Sequence, residues 1–159
     1  MSVVVLAWGN DARGDDGIGP ALAAHVEANW PKAALVVDDQ LQLEHALDLK
    51  DRSLALFIDA GHGTPAPYRL YETSARPGLA HTSHALSPEA VLDVAKRIGV
   101  APPPSFVLCI PGECWELGTS LSEQARNRLD LVRPLLDRLL GEPDVDKWRR
   151  ETGESVHAC

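Results

Sequence analysis

The sequence predicts an α/β fold: a single-domain, three-layer α/β/α sandwich around a mostly parallel, twisted sheet of about five strands. Three observations carry this expectation. Short apolar, β-branched runs alternate with segments of helical period at spacings that suit strand–helix units. Several of those runs close on an acid or a glycine turn, as at Asp38-Asp39 and Asp59. The length of 159 residues suits one domain with a full core, and no internal repeat or domain boundary interrupts it. The domain is assigned to residues 1–141, and residues 142–159 are read as a flexible, charged tail.

Val3-Val4-Val5-Leu6-Ala7-Trp8 is the first strand, and Gly9 to Gly19 is a turn carrying Asp11, Asp15 and Asp16. Ile18, Leu22 and Val26, with Ala21 and Ala24 beside them, repeat in helical period. Pro20 is tolerated only near a first turn, so this helix starts around Asp16 to Gly19. Ala33 to Val37 is the second strand, closed by Asp38-Asp39. Leu43 to Leu49 is a short helix with Leu43, Ala46 and Leu47 on one face. Leu54 to Asp59 is the third strand, followed by the Gly61-His62-Gly63 loop. Tyr68 to Tyr71 alternates and suits a fourth strand at a sheet edge, and Thr73 to Ala85 is a polar loop. Ser87-Pro88-Glu89 starts a helix with a capping hydroxyl, a first-position proline and a first-turn acid. That helix buries Ala90, Val91, Val94, Ala95 and Ile98 and stops at Gly99. Ser105 to Ile110 is the fifth strand. Ser122 to Leu140 is the last long helix, with Leu129, Val132, Leu135, Leu136 and Leu139 inward.

The bulk composition is that of a globular protein, with 45% hydrophobic and 24% charged residues. A formal charge of −8 argues against nucleic acid, whose binding rests on Lys and Arg neutralising phosphates, and disfavours an anionic membrane surface. Met1-Ser2 enters a strand with no basic segment, so no signal peptide is expected. No apolar run is long enough to span a bilayer. Cys109, Cys114 and Cys159 are odd in number and suggest a reducing compartment rather than a disulfide framework. The expectation is a cytoplasmic monomer. Cys109 and Cys114 match no strong metal or redox spacing, and Cys109 sits inside an apolar strand without an adjacent His.

Three residues stand at strand ends or in the loops beyond them: Asp16 after the first strand, Asp59 closing the third, and His84 before the Ser87 helix. Right-handed crossovers bring such loops to one edge of a parallel sheet, where open α/β folds bind ligands. Two carboxylates and an imidazole suit a divalent ion of the zinc or nickel type better than magnesium. Taken singly, each has a plain structural use: Asp16 as a helix cap, Asp59 as a turn-forming acid, His84 as a solvated loop residue. His62 and His81 compete with His84 for a ligand role. Other motif classes fail. The Gly9 turn lacks the Gly-x-Gly spacing of a dinucleotide site, and its acids would repel a pyrophosphate. There is no phosphate-cradling Gly-Lys-Ser/Thr, no Gly-x-Ser-x-Gly nucleophile elbow and no Asp-Thr-Gly.

Gly9-Asn10, Asp15-Asp16-Gly17-Ile18-Gly19, Ile58-Asp59-Ala60 and His84 before a proline-initiated helix together resemble the hydrogenase maturation endopeptidases, over roughly Val3 to Leu140. The resemblance implies an aspartic-type endopeptidase with metal-dependent recognition. Its substrate would be the large-subunit precursor of a NiFe hydrogenase, whose C-terminal extension is removed after nickel insertion. The family's metal-contacting residues fall on Asp16, Asp59 and His84. They would read nickel carried by the substrate rather than form a permanent metal site. For the hydrolysis itself, a carboxylate could activate water as general base if its pKa rose towards neutrality from about 4. Alternatively, the substrate's nickel could polarise the water or the carbonyl. Asp16 is the first candidate for the base and Asp59 the second, with Asp11 and Asp15 left to shape the turn and cap the helix.

The segment Val37 to His45 departs from the Gly-rich turn of many members. With Cys114-Trp115-Glu116-Leu117-Gly118, it is similar to a subgroup serving bidirectional, NAD-linked hydrogenases. In that segment Gln40 and Gln42 could hydrogen-bond a substrate backbone or simply be solvated, and His45 is expected to be structural. A rival reading is a non-proteolytic nickel-binding accessory or chaperone of the same fold. A nucleotide-binding α/β module is the third.

Overall fold

The computed structural model describes residues 2–77 and 86–153; His81 and His84 lie outside them. Five strands form one sheet: β1 (Val3–Trp8), β2 (Ala34–Asp38), β3 (Leu54–Gly61), β4 (Arg69–Thr73) and β5 (Ser105–Pro111). Their order across the sheet is β2-β1-β3-β5-β4. All neighbours are parallel except β4, which runs antiparallel to β5 at one edge. The expected five-stranded, mostly parallel α/β sandwich is therefore the architecture found, edge strand included.

Side-chain alternation along β1 splits the core in two. Val3, Val5 and Ala7 face one side, where α1 (Ile18–Asn29) and α3 (Glu123–Gly141) pack. Val4, Leu6 and Trp8 face the other, where α2 (Pro88–Arg97) and a 3-10 segment, Leu43–Leu49, cover the sheet. Burial on both faces explains why β1, β3 and β5 read as continuous apolar runs rather than as alternating ones. Ser87 caps α2 as expected, and Ser122, expected as the first helical residue, caps α3; their hydroxyls accept from the Ala90 and Ala125 amides at 3.2 and 3.1 Å.

Three expectations are corrected. Ile98, expected on the buried face of the Ser87 helix, lies just past the end of α2 and is exposed. The Leu43–Leu49 segment has three residues per turn, which aligns Ala46 with Leu49 in the core and takes Leu47 off that face, while Leu43, at the start of the segment, is exposed. The tail expected to be flexible over 142–159 contains a further helix, α4 (Val145–Glu151). It is anchored by Trp148, which is fully buried, meets Phe106 edge-to-face at 5.3 Å and donates its indole N–H to the Leu139 carbonyl at 2.8 Å. One large aromatic with a satisfied polar tip is enough to dock a short charged helix, a signal that periodicity misses. No helix among the described residues is long and apolar enough to cross a membrane.

Candidate functional site

The β1–α1 turn is jammed against itself. Gly9 adopts a φ of +142°, and a Cβ there would overlap the Asp16 carbonyl; at Gly19 a Cβ would overlap the Trp8 carbonyl. Glycine at both positions lets the turn fold back over the end of β1. The Asn10 amide then donates to Asp16 Oδ2 at 2.7 Å, and the Asp16 amide donates to the Arg13 carbonyl at 3.1 Å. Asp16 is thus held, half-buried, at the carboxyl edge of the sheet.

Asp15 is used in the opposite direction. It is fully buried and accepts four hydrogen bonds: from the Glu113 and Cys114 amides (2.7 and 3.2 Å) and from the Ser122 amide and hydroxyl (both 2.7 Å). Burial by itself would raise its pKa. The donors from Glu113, Ser122 and Cys114 outweigh burial and hold it below the ordinary carboxylate value. Asp15 therefore pins the loop after β5 to the first turn, in keeping with its expected structural part.

Asp59 lies near the end of β3, paired in register with Cys109. Asp16 and Asp59 line one cavity of about 470 Å³, together with Trp8, Asp39, Gln40, His62, Tyr71, Leu86, Ser87 and Glu89. Its walls come from the carboxyl ends of β1, β2 and β3, the edge where open α/β sheets bind ligands. A second cavity, of about 380 Å³ around Trp30, Leu140 and Pro143, is lined by no carboxylate.

Asp59 is the perturbed group of the carboxylate-lined cavity. Burial pushes its pKa up, and the charges of Asp16 and Glu89 add to the effect against one opposing hydrogen bond from the Ala60 amide. The result is about 7. Such a group changes protonation near neutral pH, as acid–base catalysis at that pH requires. Among the described residues no group of three or more His, Cys, Asp or Glu is arranged to hold a metal ion. The fold thus brings two of the three expected residues, Asp16 and Asp59, into one cavity, while His84 lies outside the described residues.

Two carboxylates were not singled out in the sequence. Glu89, expected only as a first-turn helix acid, is buried; it accepts from Thr73 Oγ1 at 2.5 Å and lines the cavity. Asp39, expected only to close a strand, lines it too. The available signal was the acid in the first turn of a helix pointing at the sheet edge, which ordinary capping also explains. His62 is exposed at the rim, its ring stacked on Trp115 with centroids 4.0 Å apart.

Gln40 lines the cavity, whereas Gln42 is spent on capping the 3-10 segment and reaches Asp38 at 3.5 Å. His45 is structural. Its Nδ1 accepts the Gln42 amide at 2.9 Å, which leaves Nε2–H to donate to Asp38 at 3.2 Å. Cys109 is fully buried in β5 and out of reach of a substrate, and Cys114 contacts Thr119 Oγ1 at 3.6 Å.

No protein-family model matches the chain, and no curated protein sequence matches it significantly. Solved structures do. The chain is similar to the hydrogenase maturating endopeptidase HybD from E. coli, with a TM-score of 0.71 and 17% identity over 90% of this chain and 94% of that one. It is similar to the NiFe hydrogenase maturation protease HycI from Thermococcus kodakarensis KOD1, with a TM-score of 0.68 and 19% identity over 89% and 93%. It is also similar to the hydrogenase 2 maturation peptidase from Thaumarchaeota archaeon SCGC_AB-539-E09, with a TM-score of 0.63 and 23% identity over 89% and 99%. The fold of this chain is the fold of these maturation proteases.

Proposed function

We propose that this chain is a hydrogenase maturation endopeptidase, removing a C-terminal extension from the nickel-loaded large-subunit precursor of a NiFe hydrogenase. One observation carries the reading: within the fold shared with HybD and HycI, Asp16 and Asp59 meet in an acid-lined cavity at the carboxyl edge of the sheet.

The carboxylates explain why cleavage would wait for the metal. Without a cation, Asp16, Glu89 and Asp59 repel one another, and Asp59 keeps its proton up to about pH 7. A divalent ion held by the substrate relieves that repulsion on docking, and Asp16, Asp59 and His84 complete its shell. A precursor without nickel gains none of this and leaves the charges uncompensated. For the chemistry, the pKa raised in the metal-free protein makes Asp59 the better acid–base group before the metal docks, and Asp16, fixed by the Asn10 amide, orients the metal or water. Asp59 thus precedes Asp16 as acid–base group, the reverse of the order expected from sequence.

The test is to mix the protein with nickel-loaded and nickel-free precursor and to weigh the products. Loss of the extension only from the nickel-loaded form is expected, and Asp16→Asn, Asp59→Asn and His84→Ala should each abolish it with the fold intact. A stable complex with uncleaved precursor would instead indicate a nickel-binding accessory protein. Full activity of any one variant would remove that residue from the site.

A further inference from the structure

We infer that the outer edge of β2 is the docking strand for the substrate's tail, which adds to the sheet as a sixth strand and is led by it into the acid-lined cavity. The inference rests on the proteolytic reading and names how the extended chain is held.

β2 ends the sheet on one side, and among the described residues nothing pairs with its outer edge. The Asp38 carbonyl accepts the Gly9 amide at 3.1 Å, so Asp38 faces β1. Backbone groups alternate in direction along a strand, so Val36 and Ala34 also face β1, while Leu35 and Val37 present N–H and C=O outward. Natural sheet edges are normally blunted by charge, proline or a covering element. Ala34-Leu35-Val36-Val37 has neither charge nor proline, and Val37 is 50% exposed. The opposite edge is guarded differently: Glu72 of β4 is paired with Arg149 of α4 through two bonds of 2.9 Å, whereas the one charge of β2, Asp38, stands at its carboxyl end.

The β2 edge is also shaped and directed. A groove of about 470 Å³ runs beside it, lined by Val26, Glu27, Trp30, Pro31, Leu35 and Val37, with room for alternate apolar side chains of an added strand. Its carboxyl end continues into Asp39 and Gln40, which line the cavity holding Asp16 and Asp59. Charge sets the occupant: with Asp38, Asp39, Asp16 and Glu89 at that end, the docked segment is an extended peptide that is apolar along the groove and carries no acids where it enters the cavity.

The test uses the full chain with nickel-loaded precursor. Amide hydrogen exchange at Leu35 and Val37 should slow by about tenfold or more when the precursor is added, while cleavage is followed in the same mixture. Val37→Pro removes one outward donor without touching the β1 ladder. It should raise KM about threefold to tenfold, the loss of one net hydrogen bond, with kcat little changed. Val37→Lys, which leaves the backbone free to fold, serves as the second variant and should raise KM in the same direction. Cleavage with unprotected amides and an unchanged KM in both variants would overturn the β2 dock and leave the proteolytic reading standing. Protected amides without cleavage would support the dock and overturn proteolysis. Neither protection nor cleavage would overturn both.

Discussion

Asp15 and Asp16 are adjacent in the chain and opposite in use. The first is a sealed anchor with four donors; the second keeps one amide partner and faces the cavity. Asp15→Ala strands those donors, and hydrogen bonds to a charged group are worth about 1.5–3 kcal/mol each, so a net loss of about 2–4 kcal/mol is expected. Urea unfolding would measure it, and a loss below about 0.5 kcal/mol would contradict the anchoring role. Since its folded pKa is depressed, Asp15's contribution is present above the ordinary value of 3.8 and fades as pH falls through the folded value. Gly9→Ala should be as damaging for a different reason. It places a Cβ against the Asp16 carbonyl at a φ of +142°, so activity and stability should fall together. Circular dichroism thermal melts run beside the cleavage assay would show whether they do.

At the scale of elements, the closing helix α4 was invisible to periodicity because one residue carries it. Val145–Glu151 is mostly charged, and only Trp148 is buried. Trp148→Ala should cost about 3–5 kcal/mol, as large aromatic truncations in cores do. For a domain of this size that corresponds to a melting-point drop of very roughly 6–20 °C. A drop of less than about 2 °C would show α4 to be peripheral. The Leu43–Leu49 segment fails in the complementary way. Leu43, Ala46 and Leu47 are expected on one helical face, but the 3-10 winding puts Ala46 and Leu49 in the core and Leu47 outside it, with Leu43 exposed at the start of the segment. A seven-residue window does not distinguish the two periods.

For the whole molecule, the acid-lined cavity is a stability cost at neutral pH. Asp59 has a folded pKa of about 7 against an ordinary 3.8. Between those values the folded state binds more protons than the unfolded one, so stability falls as pH rises from about 4 to about 7 and then levels off. Asp59→Asn should flatten that slope and raise stability at pH 8 by about 1–3 kcal/mol while abolishing cleavage. Urea unfolding at pH 5 and pH 8 would measure it. An equal pH slope in the variant would remove Asp59 as the cause. Wild-type cleavage should also change near pH 7 when the Asp59 proton is lost, and a pH–rate profile flat across that range would count against Asp59 as the acid–base group.

The strands, three of the helices with the Ser87 cap, and the turn from Gly9 to Gly19 were all determined by the sequence itself. Each rests on local physics: β-branched apolar runs, a serine ahead of a helix, a glycine where a Cβ would clash. Asp16 and Asp59 were legible as candidates for the same reason, since an acid at a strand end is a local pattern whose place in a parallel sheet is predictable. Which acids share a cavity was decided only by tertiary packing. Glu89 and Asp39 come from segments far apart in the chain, and nothing near either residue marks it as more than a helix acid or a strand end. Trp148 and the four donors on Asp15 belong to the same class. Their meaning lies in partners up to 107 positions away, and burial and desolvation depend on the assembled surroundings rather than on sequence neighbours.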